Sequence, residues 1–406
     1  MIAIGVPAEG QDEPRIGLTP ESVKRLVKAG AKVTVREGAG LRSHFSDEDY
    51  AEAGAIIAKT DADAVSDADV VFTVRRPSLS VAKVMKKGAS LVGMLDPFSD
   101  AEGLDALAKT GVSLFSMELM PRITRAQSMD VLSSQSNLAG YKAVVDASAA
   151  FERALPMMMT AAGTVPAARA FVMGAGVAGL QAIATARRLG AIVSATDVRP
   201  AAKEQVESLG AKFIAVEDEE FKQAETAGGY AKEMSDDYKK KQSELVAEHV
   251  KNQDIVITTA LIPGRPAPKL ISKAMIESMR PGSIIVDLAA ERGGNAELTK
   301  PGEIAEHKGV RIFGLLNLPG QVPVNASSLY ARNLQAFIEP FIDKETKDLA
   351  IDWDDELAKG TAIARDGAIV NERVAEALGA KSAKPKGAEQ KTAKPKSAEP
   401  KGGQTS

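Results

Sequence analysis

The amino-acid sequence predicts an α/β protein with two doubly wound parallel-sheet lobes joined by long helices. Short β-branched runs alternate with helical patterns through most of the chain, which is typical of parallel sheets. A helical pattern from about Asp130 to Leu155 is longer than any other, and a helix of that length often connects two lobes. A further helical pattern from about Ala326 is predicted to return to the first lobe.

The first lobe is predicted to span residues 1–135 and to be completed by about 326–375. The second is predicted to span 136–325, and residues 376–406 form a tail rich in Lys, Ala and Pro. Strands are expected in the first lobe near residues 2–6, 32–36, 69–74, 90–94 and 112–116, with a helix over Pro20 to Ala29. In the second lobe they are expected near residues 170–173, 191–197, 212–216, 254–260, 283–289 and 310–315.

Composition limits the classes of function. The chain has 406 residues, of which 44% are hydrophobic, and this suits a soluble globular protein of several domains. There is no cysteine, so disulfides, thiolate metal sites and cysteine nucleophiles are excluded. No stretch approaches the about 18 consecutive apolar residues of a membrane span.

The net charge of −3 combines an acidic body with a basic tail. From Ala380 onward the tail has no hydrophobic residue larger than Ala, so we expect it to be disordered. A solvated linker is favoured over contact with anionic lipid, and no nucleic-acid partner is expected.

The clearest motif opens the second lobe, in RAFVMGAGVAGLQAIATARRLGAIVSATDVR. Gly174, Gly176 and Gly179 form G-x-G-x-x-G between a predicted strand and a helix at about 177–189, and the next strand ends at Asp197. The glycines allow a tight turn, close approach to a pyrophosphate and close packing of helix on strand. The Asp197 carboxylate suits ribose hydroxyls and repels a 2′-phosphate, which favours NAD over NADP, although Arg199 lies nearby.

Residues 217–252 are longer than a usual crossover between strands. Tyr230 and Met234 are large apolar residues in a polar, glycine-containing segment. They predict a flap over residues 225–240 that orders when a nucleotide binds. The loop at 260–268 follows a predicted strand, and open sheets bind ligands at that end of their strands.

A second candidate site is the stretch MELMPRITRAQSMDVLSSQSN, residues 117–137, which is dense with hydrogen-bonding side chains. Arg122 can fork onto phosphate or carboxamide oxygens, and Gln127 can both donate to and accept from a carboxamide. Asp130 is a candidate to orient Arg122. The alternative is a hydrogen-bond network at a helix start, with Asp130 as its cap, and the residues alone leave both interpretations open.

The chain resembles the NAD(H)-binding component of proton-translocating NAD(P) transhydrogenase, and the resemblance extends over nearly all of residues 1–375. The resemblance rests on MELMPRITRAQSMDVLSSQSNLAGY, PMMMTAAGTVPAAR, GAGVAGLQAIATARRLGA, TKPGEI and ETAGGYAKEM. It implies two Rossmann-like lobes and a cytoplasmic homodimer. It also implies docking, at the inner face of the cell membrane, onto a membrane-spanning component and an NADP(H)-binding component. The implied reaction is direct hydride transfer between NADH on this chain and NADP⁺ on that partner, coupled to proton translocation.

The resemblance also implies which residues contact the nucleotide. It places the polar stretch in a cleft over the nicotinamide, which Arg122, Gln127 and Asp130 would position. The other implied contacts are Ile123, Thr124, Ser133, Gly174, Gly176, Val177, Ala178, Gly179, Asp197, Val198, Arg199, Gly229, Tyr230, Gln242, Ala260 and Leu261. Hydride transfer requires positioning groups and no nucleophile, and neither a metal nor a catalytic histidine is expected.

Two other functions stay open at this point. Alanine dehydrogenase shares the two-lobe architecture and the pattern RIGLTPESV, but oxidative deamination needs an acid/base group. Here FTVRRP places Arg75 where the alanine dehydrogenase pattern has lysine, and LVGMLDPF lacks its histidine. An arginine does not give up its proton near neutral pH. The third function is a non-catalytic NAD-sensing module, because a lone subunit has no hydride acceptor.

Overall fold

The structure, a computed structural model, describes residues 1–223, 234–262 and 264–379. The strands, in chain order, are β1 (Ala3–Val6), β2 (Lys32–Arg36), β3 (Ile56–Ala58), β4 (Val70–Phe72), β5 (Ser90–Gly93), β6 (Ser113–Ser116), β7 (Met158–Thr160), β8 (Gly163–Val165), β9 (Arg169–Met173), β10 (Ile192–Thr196), β11 (Lys212–Phe213), β12 (Ile255–Thr258), β13 (Ile284–Asp287), β14 (Ile304–His307), β15 (Val310–Phe313), β16 (Ala362–Arg365) and β17 (Ala368–Ile369).

The α-helices are α1 (Pro20–Lys28), α2 (Asp47–Glu52), α3 (Asp61–Val65), α4 (Leu79–Val84), α5 (Ala101–Ala108), α6 (Val131–Ala150), α7 (Val177–Arg188), α8 (Ala202–Ser208), α9 (Glu219–Lys222), α10 (Asp236–Val250), α11 (Lys273–Ser278), α12 (Pro323–Ile338), α13 (Glu356–Thr361) and α14 (Glu372–Ala377). Short 3₁₀ helices cover Leu41–Ser43, Met117–Leu119, Thr124–Met129, Ala290–Arg292, Leu318–Gln321 and Glu339–Phe341.

The N-terminal half of the chain builds an eight-stranded sheet in the order β17-β16-β6-β5-β4-β1-β2-β3. Strands β1 to β6 run parallel, and the five strands predicted for this lobe correspond to β1, β2, β4, β5 and β6. The prediction missed β3, β16 and β17, which have only two to four residues each. The C-terminal strand β16 pairs antiparallel with β6, and β17 pairs antiparallel with β16, so these late segments of the chain join this sheet.

The second sheet has seven strands in the order β11-β10-β9-β12-β13-β15-β14. All pairs are parallel except β14 with β15. The strand order reverses between β9 and β12, and this switch point opens a crevice beyond the carboxyl ends of the two strands. The two parallel-dominated sheets confirm the predicted fold class.

The long helix α6 belongs to the cores of both lobes. Val131, at its start, packs in the core beneath the first sheet, whereas Ala143 and Val144 pack in the core of the second. A Cβ atom on Gly140 would lie 2.0 Å from the carbonyl oxygen of Ala178, so this glycine lets α6 approach α7 closely. The helix ends at Ala150, earlier than the predicted Leu155, and Phe151 leaves it in an extended conformation.

The returning helix α12 buries Tyr330, Leu334 and Phe337 in the core of the first lobe. It was predicted from about Ala326 and begins at Pro323, whose missing N–H suits the first turn of a helix. Among the described residues, no helix is both long enough and apolar enough to cross a membrane.

The flap prediction is wrong where the structure tests it. Met234 and Tyr238 are buried in the core of the second lobe, and Tyr238 stacks on Phe221 with ring centroids 6.5 Å apart. Helix α10 begins at Asp236 and covers the rest of the supposed flap. Met234 therefore packs into the protein's own core and does not close over a ligand. Residues 224–233, which include Gly229 and Tyr230, lie outside the described part of the chain.

Candidate functional site

The glycine loop lies at the switch point of the second sheet, between β9 and α7. Gly174 has φ +104°, a backbone conformation that favours glycine. A Cβ on Gly179 would lie 1.8 Å from the carbonyl oxygen of Gly174, so α7 can pack on the loop only if this residue is glycine. A Cβ on Gly176, in contrast, would meet nothing within 4 Å. Two of the glycines therefore build the loop, and Gly176 faces open space.

The open space lies in front of the first turn of α7. Gly176 is the N-cap of this helix and has no side chain to bond the first-turn amides. Those amides, of Val177, Ala178 and Gly179, point out of the helix end and lack acceptors within the helix. A helix N-terminus behind an open glycine loop provides aligned N–H donors and a positive dipole end for a pyrophosphate. The residues present therefore fit the diphosphate of a dinucleotide.

Asp197, at the end of β10, forms a hydrogen bond with the glycine loop. Its carboxylate accepts the N–H of Ala175 at 2.7 Å and the backbone N–H of Arg199 at 2.9 Å. The Arg199 guanidinium donates to the same carboxylate, with Nε 2.9 Å from Oδ1. The Asp197 side chain is only 7% exposed, and its partner Arg199 is 32% exposed. The carboxylate of Asp197, the predicted ribose contact, is thus bound by donors of the chain, and Val198 beside it is half exposed.

The opposite wall of the crevice is the loop after β12. The N–H of Ala260 donates to Asn295 Oδ1 at 3.0 Å, and Asn295 Nδ2 donates to the carbonyl oxygens of Ala260 and Pro268 at 2.8 Å each. Asn295 is fully buried, so it braces this loop from inside the protein. The side chain of Leu261 is 52% exposed at the loop surface.

Sequence reasoning missed Asn295. The available signal was its position eight residues after β13, in a turn that contains two consecutive glycines with positive φ.

Gln242 forms two hydrogen bonds with segments that adjoin the candidate site. Its Oε1 accepts the N–H of Val216 at 2.9 Å, and its Nε2 donates to Thr196 Oγ1 at 3.1 Å. Both ends of the carboxamide are therefore engaged with the protein. Gln242 therefore links α10 to the end of β10, next to Asp197, the predicted ribose contact.

The polar stretch forms a 3₁₀ helix over Thr124–Met129, which leads directly into α6. Asp130 is the N-cap of α6: its carboxylate accepts the N–H of Ser133 at 2.9 Å and the Ser133 hydroxyl at 2.5 Å. The helix-cap interpretation is thus correct for Asp130 and Ser133. Arg122 and Gln127 have exposed side chains, and Ile123 immediately precedes the 3₁₀ helix.

Asp355, from the C-terminal part of the chain, binds the polar stretch at the protein surface. Arg125 forms two parallel hydrogen bonds of 2.8 Å with the carboxylate of Asp355, which also caps α13. Such a bidentate pair fixes geometry as well as charge. Because α13 packs in the first lobe, Asp355 lies next to Arg125 although the two are far apart in the sequence.

The switch point of the first sheet, between β1 and β4, is filled by the protein itself. Glu9 follows β1 and accepts the backbone N–H groups of Val74 at 2.6 Å and Arg75 at 3.1 Å. Burial raises the pKa of Glu9 to about 7. The carboxyl group of Glu9 thus occupies this crevice, whereas Gly176 faces open space at the crevice of the second sheet.

Arg75 belongs to a buried ion-pair network. Glu13 accepts from Nε and Nη2 of Arg15 at 2.7 and 2.6 Å, and from Arg75 Nε at 3.0 Å. Burial opposes ionisation of Glu13, but the hydrogen bonds from Arg15 outweigh it and lower the pKa below its ordinary value. Glu13 also accepts from Asn317 Nδ2 at 3.1 Å. The arginines are therefore occupied by a carboxylate of the chain.

Asp96 lies in the stretch LVGMLDPF, which lacks the histidine of the alanine dehydrogenase pattern. Its carboxylate forms an ion pair with Arg292, which links the first lobe to the second.

The described residues contain no cluster of His, Asp and Glu that would hold a metal ion. His249 packs on Phe171 and bonds Ser194, and burial lowers its pKa. The acid/base group of a deaminating enzyme is therefore not found at Arg75 or Asp96.

Comparison with known proteins gives a consistent family. Models of the N-terminal and C-terminal domains of alanine dehydrogenase/PNT match residues 5–139 and 143–372. The first part of NAD(P) transhydrogenase subunit alpha from Rhodospirillum rubrum is 54% identical over 374 residues, covering 91% of this chain and 97% of the relative. The protein of the same description from Rickettsia prowazekii is 46% identical over 375 residues, covering 91% and 96%.

Solved structures agree with the sequence comparison. A transhydrogenase from Sinorhizobium meliloti superposes with a TM-score of 0.83 at 55% identity, covering 91% of this chain and 100% of that one. An L-alanine dehydrogenase superposes with a TM-score of 0.78 at 26% identity, covering 93% and 99%. Alanine dehydrogenase 1 of Staphylococcus aureus is 30% identical over 377 residues, covering 90% and 93%.

Proposed function

Because the chain belongs to the family of NAD(P) transhydrogenase alpha subunits, we propose that it binds NAD(H) and presents it for direct hydride exchange with NADP(H) on a partner component. The observation that carries this proposal is the open space at Gly176, in front of the first turn of α7 and beside Asp197. That arrangement suits a diphosphate at the helix end and a ribose at the end of the neighbouring strand.

The bound nicotinamide supplies the hydride or receives it, and the protein's own groups provide binding and orientation. The first-turn amides of α7 hold the diphosphate, and Asp197 accepts from the ribose hydroxyls. Arg122 and Gln127, on the exposed face of the polar stretch, orient the nicotinamide end. Asp130 acts indirectly, because its carboxylate holds the junction between the 3₁₀ helix and α6.

In this proposal, proton translocation is carried out by the partner components and not by this chain. The proposed assembly contains a membrane-spanning component and an NADP(H)-binding component, with this chain held at the cytoplasmic face of the membrane through them. Two relatives named NAD(P) transhydrogenase subunit alpha extend well beyond the aligned region, since this chain covers 70% and 74% of their length. In those relatives the equivalent of this chain is therefore joined to a further segment.

We also propose a homodimer, and an exposed apolar patch supports it. At the hairpin of β7 and β8, Met157, Met158 and Met159 are 62%, 44% and 78% exposed. A two-stranded hairpin is marginally stable alone, and such a patch is typical of a protein interface. We expect Met159→Asp to shift sedimentation from dimer to monomer, and an unchanged dimer would contradict this interface.

Mixing the purified chain with the NADP(H)-binding component tests the main proposal. With NADH and NADP⁺ present, NADPH should appear only when both proteins are present. The matched control is Gly176→Ala, which places a methyl group where the diphosphate is proposed to bind. NADPH formation by the wild-type chain alone, or none by the mixture, would contradict the proposed function.

A further inference from the structure

Asn333 connects the returning helix α12 to the polar stretch. It is only 8% exposed, although it carries a polar carboxamide. Its Nδ2 donates to the carbonyl oxygen of Ser128 at 2.7 Å, and its Oδ1 accepts from the hydroxyl of Ser134 at 2.8 Å. These two partners lie on either side of Asp130. One buried side chain therefore joins the end of the 3₁₀ helix to the first turn of α6.

The direction of the Asn333 carboxamide follows from its partners. A carbonyl oxygen can only accept a hydrogen bond, so the group that faces Ser128 must be the NH₂. The Ser134 hydroxyl accepts from Gln135 Nε2 at 3.2 Å, and its one proton is shared between Asn333 Oδ1 at 2.8 Å, the shorter contact, and the Val131 carbonyl oxygen at 3.2 Å. Gln135 Oε1 in turn accepts from Arg15 at 2.8 Å. Asn333 is thus the last link of a buried hydrogen-bond chain that begins at Arg15.

The segment that Asn333 holds has little regular structure of its own. The 3₁₀ helix over residues 124–129 has weaker internal geometry than an α-helix, and Ile123 provides no side-chain cap. The bond from the Asp130 N–H to the Gln127 carbonyl oxygen is 3.5 Å long. The bidentate pair of Arg125 with Asp355 also holds this segment, but it lies at the surface, where its arginine side is nearly half exposed and solvent screens it. The buried bond to Ser128 is therefore the interior polar anchor of this segment.

We propose that Asn333 is a positioning residue for hydride transfer. By holding the carbonyl of Ser128, it fixes the backbone of the neighbouring Gln127 and so the direction of the Gln127 side chain toward the nicotinamide. This inference rests on the proposed function. It assigns a role in the reaction to α12, a helix from the C-terminal part of the chain whose residues otherwise pack in the core of the first lobe.

Asn333→Asp is the sharpest test, because aspartate has nearly the shape of asparagine. It keeps the acceptor for Ser134 and places an oxygen against the Ser128 carbonyl. We expect single-turnover hydride transfer with the NADP(H)-binding component to fall about tenfold or more, since small displacements of reacting groups have large effects on rate. The dissociation constant for NADH should stay within about twofold, because the glycine loop and Asp197 provide most of the binding.

The pH dependence separates positioning from general damage. When the carboxyl group introduced by N333D takes up a proton, it regains a donor for the Ser128 carbonyl. The transfer rate of N333D relative to wild type should therefore rise as pH falls. A loss of transfer that does not depend on pH would point to a distorted fold and would overturn the proposal.

A measurement without nucleotide gives an independent check. In the free protein, the backbone amides of residues 124–130 should exchange with solvent about tenfold faster in N333D than in wild type. Ser328→Ala is the matched control, because its hydroxyl bonds the Val324 carbonyl on the exposed side of the same helix. Equal exchange in N333D and wild type would overturn the proposal.

The outcomes also distinguish this inference from the proposed function. If Gln127→Asn slows transfer and N333D does not, the polar stretch orients the nicotinamide but Asn333 has no positioning role. If the wild-type chain transfers no hydride with its partner, the proposed function fails. The exchange measurement then still decides whether Asn333 holds the segment.

Discussion

Gln127 and Asp130 belong to one polar stretch, but the protein holds them differently. Asp130 is fixed by two hydrogen bonds to Ser133, whereas the side chain of Gln127 is exposed on a short 3₁₀ helix. The sequence offered both a helix cap and a nicotinamide site as interpretations of this stretch. The two are compatible in the structure: Asp130 provides the cap, and the side chain of Gln127 before it is exposed.

Gln127→Asn shortens the side chain without changing its chemistry. If Gln127 holds the nicotinamide carboxamide, NADH affinity should fall by only about 1 kcal/mol, the usual net contribution of a hydrogen bond. Hydride transfer should slow roughly a hundredfold, because a ring displaced by about 1 Å is poorly placed for reaction. Calorimetry and single-turnover kinetics measure the two effects. An intact transfer rate, or complete loss of binding, would mean that Gln127 does not position the ring.

Asp197→Ala tests nucleotide selectivity. The substitution removes the acceptor for the ribose hydroxyls and the carboxylate that repels a 2′-phosphate, and it leaves Arg199 without this partner. We expect weaker NADH binding and a smaller preference for NADH over NADPH in calorimetric titrations. Asp197→Asn, which keeps the shape but loses the charge, is the matched control for the electrostatic part. Selectivity that is unchanged in both variants would refute the assignment.

At the scale of elements, the glycine motif was predictable because its requirements are local. Strand, turn, helix and terminal acid follow one another within about thirty residues, as the motif requires. The strands β16 and β17 and the contacts of Asp355 and Asn333 were not predictable in this way. Strand β16 and the contacts of Asp355 and Asn333 depend on partners more than two hundred residues away, such as Phe115 opposite Ala362 or Ser128 opposite Asn333. Strand β17 in turn pairs with β16. The flap prediction was wrong for Met234, which packs in the core, because an apolar residue in a polar segment does not reveal whether it faces a ligand or a core.

Two glycines of one loop should respond differently to the same substitution. Gly179→Ala forces a methyl group against the Gly174 carbonyl and should destabilise the protein by about 1 to 3 kcal/mol, as overpacking does. Gly176→Ala meets open space, so we expect its melting temperature to match that of the wild type, with greatly weakened NADH binding. Thermal denaturation and calorimetry separate the two. Wild-type NADH affinity in G176A would show that the diphosphate lies elsewhere.

At the scale of the molecule, one fold serves two kinds of chemistry among its relatives. The chain shares its architecture with an L-alanine dehydrogenase at a TM-score of 0.78. It differs where deamination would need an acid/base group, because Arg75 is bound to Glu13 and Asp96 to Arg292. The two-lobe fold class was predictable from the alternation of strands and helices. The networks at Glu9 and Glu13 were not, because they depend on burial that no local pattern reports.

We therefore expect no alanine dehydrogenase activity. Incubation of the chain with alanine and NAD⁺, or with pyruvate, ammonia and NADH, should leave the NADH to NAD⁺ ratio unchanged. An authentic alanine dehydrogenase in the same buffer provides the positive control. Sustained turnover by this chain would move its function to that enzyme class.

The central claim is direct hydride transfer between two bound nucleotides, and isotope transfer measures it. Two preparations of NADH, with deuterium on one or the other face of C4, are mixed with the chain and with the NADP(H)-binding component loaded with NADP⁺. One preparation should pass its deuterium to NADPH without loss to water, and the other should retain it in NAD⁺. Deuterium released into solvent, or no NADPH from either preparation, would contradict the account.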